Sequence, residues 1–235
     1  TRLNFHKALG MPAESLKFHD HDKLAHYANA AVDIEYKFPF GFREMEGIHS
    51  RTDFDLKNHQ ELSRKKQQYF DPNIDPETNK PYGNYIPFVI ETSLGADRLF
   101  LATLCNSFTK EMVGEADKQK ERTYLKLHPA LAPVKVAILP LVKKDGLAEI
   151  GKEIANSLKS SFRAIYDDGG AIGKRYTRQD LIGTPFCVAV DYETKEDNCV
   201  TIRHRDSMEQ ERVPISELKE RIGREVSVER ILEAI

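Results

Sequence analysis

The chain has little that would mark a special environment. It carries only three cysteines in 235 residues, Cys105, Cys187 and Cys199, and no CxxC pair. An odd count with apolar neighbours reads as reduced, buried thiols and excludes a disulfide framework. No apolar run approaches the length of a bilayer span and no signal-peptide pattern is visible, so the expected compartment is the cytoplasm, without membrane contact. Charge of one sign is missing too. Thirty-five Lys and Arg face 37 Asp and Glu, for a net charge of −2. That balance argues against a broadly basic nucleic-acid binder, so any RNA contact must come from local clusters. There is no low-complexity tract and no internal repeat. An initiator Met is also absent: Thr1-Arg2-Leu3-Asn4-Phe5-His6 reads as the interior of a longer protein.

What remains is an ordinary globular composition, 40% hydrophobic, long enough for one large or two modest domains. Ala13–Ala31 reads as a helix, with Leu16, Leu24, Tyr27, Ala28 and Ala31 as its apolar positions. His19, Asp22 and His26 would share a face of that helix. No two histidines there have the three- or four-residue spacing a helical metal pair needs, so no metal site is expected. Phe40–Ile48 and Tyr85–Ile90 read as strands of an antiparallel sheet. Asp71-Pro72, Asp75-Pro76 and Pro81-Tyr82-Gly83-Asn84 mark a surface loop between them. The charged run Lys110–Arg122 reads as a linker. After His128-Pro129 and Ala132-Pro133, strand and helix alternate: Val134–Val142, Leu147–Phe162, Ala164–Tyr166, a helix around Ile172–Ile182, then a hairpin of Phe186–Asp191 with Cys199–His204. Gln210–Val213 adds an edge strand and Ile215–Ile222 a helix. That is an α/β unit with a mixed sheet covered by helices.

The most informative segment is Ile86–Phe108, IPFVIETSLGADRLFLATLCNSF. Phe88, Val89 and Ile90 form an apolar strand ending in Glu91. The small-residue turn Thr92-Ser93-Leu94-Gly95 opens a helix with Arg98 in its first turn. Leu99, Phe100, Leu101, Ala102 and Leu104 make that helix apolar nearly all round, which predicts burial. Glu91, Ser93 and Arg98 would then meet at a strand-to-helix junction, where backbone N–H groups and a fixed guanidinium suit a polyphosphate.

This segment closely resembles motif 3 of the class II aminoacyl-tRNA synthetases, in its glycyl-tRNA synthetase form. Flanking pieces fit the same family in order and spacing: His26-Tyr27-Ala28, Asp33-Ile34-Glu35-Tyr36, Phe38-Pro39-Phe40-Gly41, Glu44-Met45-Glu46-Gly47-Ile48 and Arg51-Thr52-Asp53-Phe54-Asp55-Leu56. Gly173–Val190, GKRYTRQDLIGTPFCVAV, resembles the C-terminal domain of the bacterial dimeric type. Thr92 stands where the family usually has proline. Phe42-Arg43-Glu44-Met45-Glu46 is superficially similar to motif 2 but lacks its Arg-x-Glu spacing. The resemblance therefore implies the C-terminal part of a synthetase, without motifs 1 and 2 and inactive alone. Residues 1–127 would be the end of an α+β catalytic domain built on an antiparallel sheet, and 128–235 an α/β anticodon-binding domain.

The same resemblance implies glycine–tRNA ligase activity, with glycine, ATP with Mg²⁺ and tRNA-Gly as substrates, no tightly bound cofactor, and a homodimer in the longer protein. Arg98 and Glu44 would be catalytic. Glu91, Thr92, Ser93, Leu94 and Gly95 would bind glycine, with Glu35 a further carboxylate for its ammonium. Glu44, Met45, Gly95, Ala96, Asp97 and Arg98 would bind ATP. Arg51, Asp53 and Asp55 alternate with Phe54 and Leu56, as an ion-pair network bracing the floor of the site or as ligand contacts. Lys174, Arg175 and Arg178 beside Tyr176 would hold tRNA, with Arg203, His204 and Arg205 as a second patch. The competing reading is a non-catalytic, synthetase-like nucleic-acid-binding or accessory protein. Retention of Glu44, Glu91, Ser93 and Arg98 argues against it.

Overall fold

The computed structural model of the chain describes residues 1–114, 119–233 and 235. Two compact units emerge: Pro12–Ala102, and Thr1–Met11 together with Thr103–Ile235. The boundary drawn from sequence at 127/128 falls inside the second of these.

In the Pro12–Ala102 unit, strands β1 (Leu16–Asp20), β2 (Ala30–Phe38), β3 (Gly41–Ser50) and β6 (Ile90–Leu94) form an antiparallel sheet in the order β1-β2-β3-β6. Between β3 and β6 come helix α2 (Phe54–Ser63) and a separate two-stranded ribbon of β4 (Tyr69–Ile74) and β5 (Pro81–Tyr85). The sheet is two-faced, as the period-2 pattern of β2 requires. Ile34, Tyr36 and Phe38 are buried together with Met45 of β3, while Asp33 and Glu35 belong to the opposite, polar face. A bulge at Ile34/Glu35 shifts the pairing from Ile34↔Glu46 to Glu35↔Glu44.

Several expectations for this unit are overturned. Ala13–Ala31 is not a helix: a 3₁₀ turn over Ala13–Ser15 leads into β1, and β2 begins at Ala30. Pairing of Leu16–Asp20 along β2 satisfies that backbone in the sheet and overrides the helical spacing of apolar residues. The supposed surface loop is the β4–β5 ribbon, closed by a turn in which the Asp75 carboxylate accepts from Glu77 N–H and the Thr78 hydroxyl. Helix α2 has little apolar periodicity, and no residue of it is buried. Strand β6 starts at Ile90 and continues through Thr92-Ser93-Leu94, so only Gly95 separates it from helix α3 (Ala96–Ser107). Helix α3 is not buried all round. Ala102 is fully enclosed, but Phe100 is 66% exposed.

In the other unit, α1 (Arg2–Ala8) precedes the hairpin β7 (Phe108–Val113)–β8 (Lys120–Leu125), which replaces the expected linker; residues 115–118 of that run lie outside the described residues. A mixed five-stranded sheet follows in the order β10 (Ala164–Tyr166), β9 (Val136–Pro140), β11 (Phe186–Val190), β12 (Cys199–His204), β13 (Gln210–Pro214). Strand β9 is buried along its whole length, as a central parallel strand should be. Its Val136 and Ile138 join Val188, Val190, Val200 and Ile202 beneath α4 (Leu147–Leu158) and α7 (Leu218–Val226). Leu147, Ile154 and Leu158 form the stripe of α4, and Leu218, Ile222 and Val226 recur every fourth residue in α7. On the other face Ala137, Leu139 and Cys187 pack with Tyr176 of α5 (Ile172–Leu181).

Between β11 and β12 the chain makes a one-turn helix α6 (Thr194–Asp197), and α8 (Glu229–Glu233) follows α7. Gly183 turns the chain after α5 at φ +79°. A Cβ there would sit 2.6 Å from Leu127 Cδ1, so both the conformation and the space call for glycine. The cysteines are free. Only Cys187 is buried, however, and burial pushes its thiol up to about 12, which leaves it inert. Among the described residues no helix is long and apolar enough to cross a membrane.

Candidate active site

The polar face of the β1-β2-β3-β6 sheet carries Glu91 and Ser93 of the segment resembling motif 3. In the β3–β6 register His49 stands opposite Glu91 and Gly47 opposite Ser93. Glu91 and Ser93, two apart on one strand, therefore share a face, and Thr92 and Leu94 alternate to the other. Of the five residues assigned to glycine, then, Thr92 and Leu94 can offer that face only backbone groups. Gly47 keeps the row open, because a Cβ there would lie 3.0 Å from the His49 ring and 3.4 Å from Asp33 Oδ1.

Arg98, in the first turn of α3, reaches back to β3. Its Nη1 donates to the Glu44 carbonyl at 2.9 Å and to Glu44 Oε2 at 3.1 Å. Both side chains are about half exposed, so the pair is accessible and easily rearranged around a ligand. Ala96 and Asp97 lie exposed at the same helix start. Met45, by contrast, is buried, and so is Glu46. Glu35 is engaged by Lys17 at 2.8 Å on the same face.

Arg51 resolves the alternation Arg51–Asp53–Asp55. Its Nε donates to Asp55 Oδ2 at 2.6 Å and its Nη1 to Glu91 Oε2 at 2.5 Å, while its guanidinium stacks 4.0 Å over the Tyr27 ring. Those bonds raise the Arg51 pKa and hold Asp55 below the usual carboxylate range. Asp53 stands outside this network, at the N-cap of α2. The network thus fixes the orientation of Glu91, a link the sequence did not give, because 40 residues separate Arg51 from Glu91. Nor did it give the approach of His21, Asp33 and His49, whose ligand atoms lie within 4.8 Å of one another. The helix on which His19, Asp22 and His26 would have shared a face does not exist.

In the mixed-sheet unit the proposed RNA patches are largely interior. Arg175 is buried, donating to Pro140 O at 2.5 Å and to Gly170 O at 2.6 and 3.0 Å. It closes a turn and is not a surface cation. Tyr176 packs into the core, and Arg178 is committed to Asp167 and Gly169 O. Lys174 alone of the cluster stays exposed without such a bond among the described residues. In the second patch His204 stays half exposed beside Glu211, while the two arginines turn inward. Arg203 pairs with buried Asp180, and Arg205 donates to Gly183 O and Leu127 O. A cavity of about 600 Å³ beside Phe186, Ile202 and Ile222 is rimmed by Glu217, Glu220 and Glu225 against Arg221 and Arg224, with His204 3.4 Å from Glu211.

Along nearly its whole length, the chain is similar to glycine–tRNA ligases. It is 51% identical over 228 residues to the glycine–tRNA ligase of Treponema denticola, which covers 96% of this chain and 49% of that protein. It is 50% identical over 229 residues to that of Borrelia hermsii and 51% identical over 221 residues to that of Bacillus cereus, again with 49% and 45% of those proteins covered. The chain spans about half the length of the curated relatives it matches. Residues 135–225 match the family described as an anticodon binding domain, which takes in β9 through α7 almost completely.

Proposed function

We propose that this chain supplies the motif 3 and anticodon-binding parts of a glycine–tRNA ligase. The carrying observation is that β6 presents Glu91 and Ser93 on one face and passes through Gly95 alone into α3, whose Arg98 meets Glu44. In the first step the carboxylate of glycine attacks the α-phosphorus of ATP and pyrophosphate leaves. Arg98 offsets charge on the departing phosphates, and Glu44 takes the Mg²⁺ that accompanies ATP as substrate, so positioning and charge stabilisation do most of the work. Glu91, held by Arg51, receives the ammonium of glycine. In the second step the tRNA 3′ end takes the glycyl group. Glycine offers no side chain to read, so a small pocket lined by Glu91 and Ser93 selects it by its ammonium and by excluding anything larger.

The anticodon-domain match and the glycine–tRNA ligase relatives support tRNA-Gly as the partner, with Lys174 as an exposed cation of α5 without an ion pair among the described residues. A cytoplasmic setting, with free cysteines, and a homodimeric longer protein are part of the same reading. Its test is glycine-dependent pyrophosphate exchange by the full-length protein. Arg98→Ala should lower the rate by on the order of 10² or more, because a charge-assisted phosphate contact is lost. An unchanged rate would remove Arg98 from the site.

A further inference from the structure

We propose that His21, Asp33 and His49 form a three-ligand site for a divalent transition cation of the zinc class. The three residues come from adjacent strands or their ends. Asp33 lies mid-strand in β2, His49 in β3, and His21 immediately follows β1, its N–H donating to Ala31 O. Their ligand atoms all lie within 4.8 Å of one another. Zinc–nitrogen bonds of about 2.0–2.1 Å in a tetrahedral shell put donor atoms roughly 3.4 Å apart, so rotation of side chains is enough to close the set.

Two further observations point to a ligand. His21 Nε2 already lies 2.9 Å from Asp33 Oδ2, so an imidazole nitrogen and a carboxylate oxygen converge on one point beside the His49 ring. Gly47, between Asp33 and His49, keeps the centre of the group empty. A Cβ at that position would press on the His49 ring at 3.0 Å and on Asp33 Oδ1 at 3.4 Å. Two imidazoles and one carboxylate favour zinc and its neighbours over magnesium or calcium, which prefer all-oxygen shells. Three protein ligands leave a fourth position for water or another donor. This site rests on the geometry alone and stands whether or not the chain serves a ligase.

The test is competition for Zn²⁺ between the full chain and a chromogenic chelator, with Co²⁺ as a visible probe of the ligand field. One equivalent should bind, and the Co²⁺ complex should show the d–d bands of a nitrogen–oxygen site. His21→Ala and His49→Ala should each weaken binding by at least about tenfold, with an unchanged circular dichroism spectrum. Gly47→Ala should weaken it by displacing His49. Where alanine disturbs the strand, His49→Gln serves in its place. Cys199→Ser and His204→Ala should leave the affinity as it was. Zinc binding equally tight in the His21→Ala/His49→Ala double variant would overturn the proposal, as would the absence of any saturable binding.

Discussion

At the scale of single residues, Arg51 and His128 carry consequences that their neighbours in sequence do not announce. Arg51 touches Glu91 through one nitrogen and Asp55 through two, so in the proposed ligase its role toward glycine is to aim a carboxylate. In the full-length protein, Glu91→Gln should raise the KM for glycine and leave that for ATP nearly unchanged. Arg51→Lys should move the same parameter in the same direction but less, since an ammonium cannot hold two carboxylates as a fork does. A change confined to kcat or to ATP would show that Arg51 is only a brace.

His128 is a different case. Burial, then the charges of Arg230, Lys135 and Arg205, hold it below its ordinary value of 6.5. The Ala130 N–H also donates to its Nδ1 at 3.2 Å, which requires that nitrogen to be unprotonated. The unfolded chain therefore binds this proton more readily. Stability associated with the neutral ring is present above the ordinary value and is lost as pH falls below it. Thermal unfolding of the chain should show a drop in Tm between about pH 7.5 and about pH 5.5 that is smaller in His128→Gln. Equal slopes would remove His128 as the cause.

At the scale of elements, the mixed sheet is stitched to its surroundings by buried arginines. Asp180 of α5 receives Arg203 from β12 at 3.0 and 3.2 Å and Arg122 from β8 at 3.0 and 3.1 Å. Asp180→Ala would leave the buried Arg203 without its carboxylate, while Arg122 keeps Glu111 at 2.7 Å, and should cost about 3–5 kcal/mol in urea unfolding. A loss under about 1 kcal/mol would mean that water repairs the gap.

The same arginines explain where reading the sequence succeeded and where it failed. Strands β9 to β13 and helices α4, α5 and α7 were legible because unbroken apolar runs and a four-residue stripe each fit one kind of element. Arg175, Arg203 and Arg205 looked like surface charge because a sequence records the cation and not the carbonyls and carboxylates that fold around it. Ala13–Ala31 was misread because its apolar spacing fits a helix by chance, whereas pairing with β2 is a long-range fact. The placement of Glu91, Ser93 and Arg98 at a strand-to-helix passage was legible through motif order. Their link to Arg51 and the approach of His49 to His21 were not, since both depend on sheet register.

At the scale of the whole molecule, the chain covers about half of each relative yet contains two compact units. Apolar character in α3 was read as burial, but Phe100 and Leu101 remain uncovered among the described residues: periodicity reports apolar character, and burial depends on what lies opposite. The proposed ligase reaction uses the polar sheet face for glycine and ATP and the mixed-sheet unit for tRNA. Its most direct test is the transfer of labelled glycine to tRNA-Gly by the full-length protein, with alanine as the competitor amino acid. The account predicts ATP-dependent glycyl-tRNA formation and almost none with alanine, whose extra methyl the small pocket excludes. Binding of tRNA without any glycine transfer would contradict it and favour a non-catalytic, synthetase-like protein.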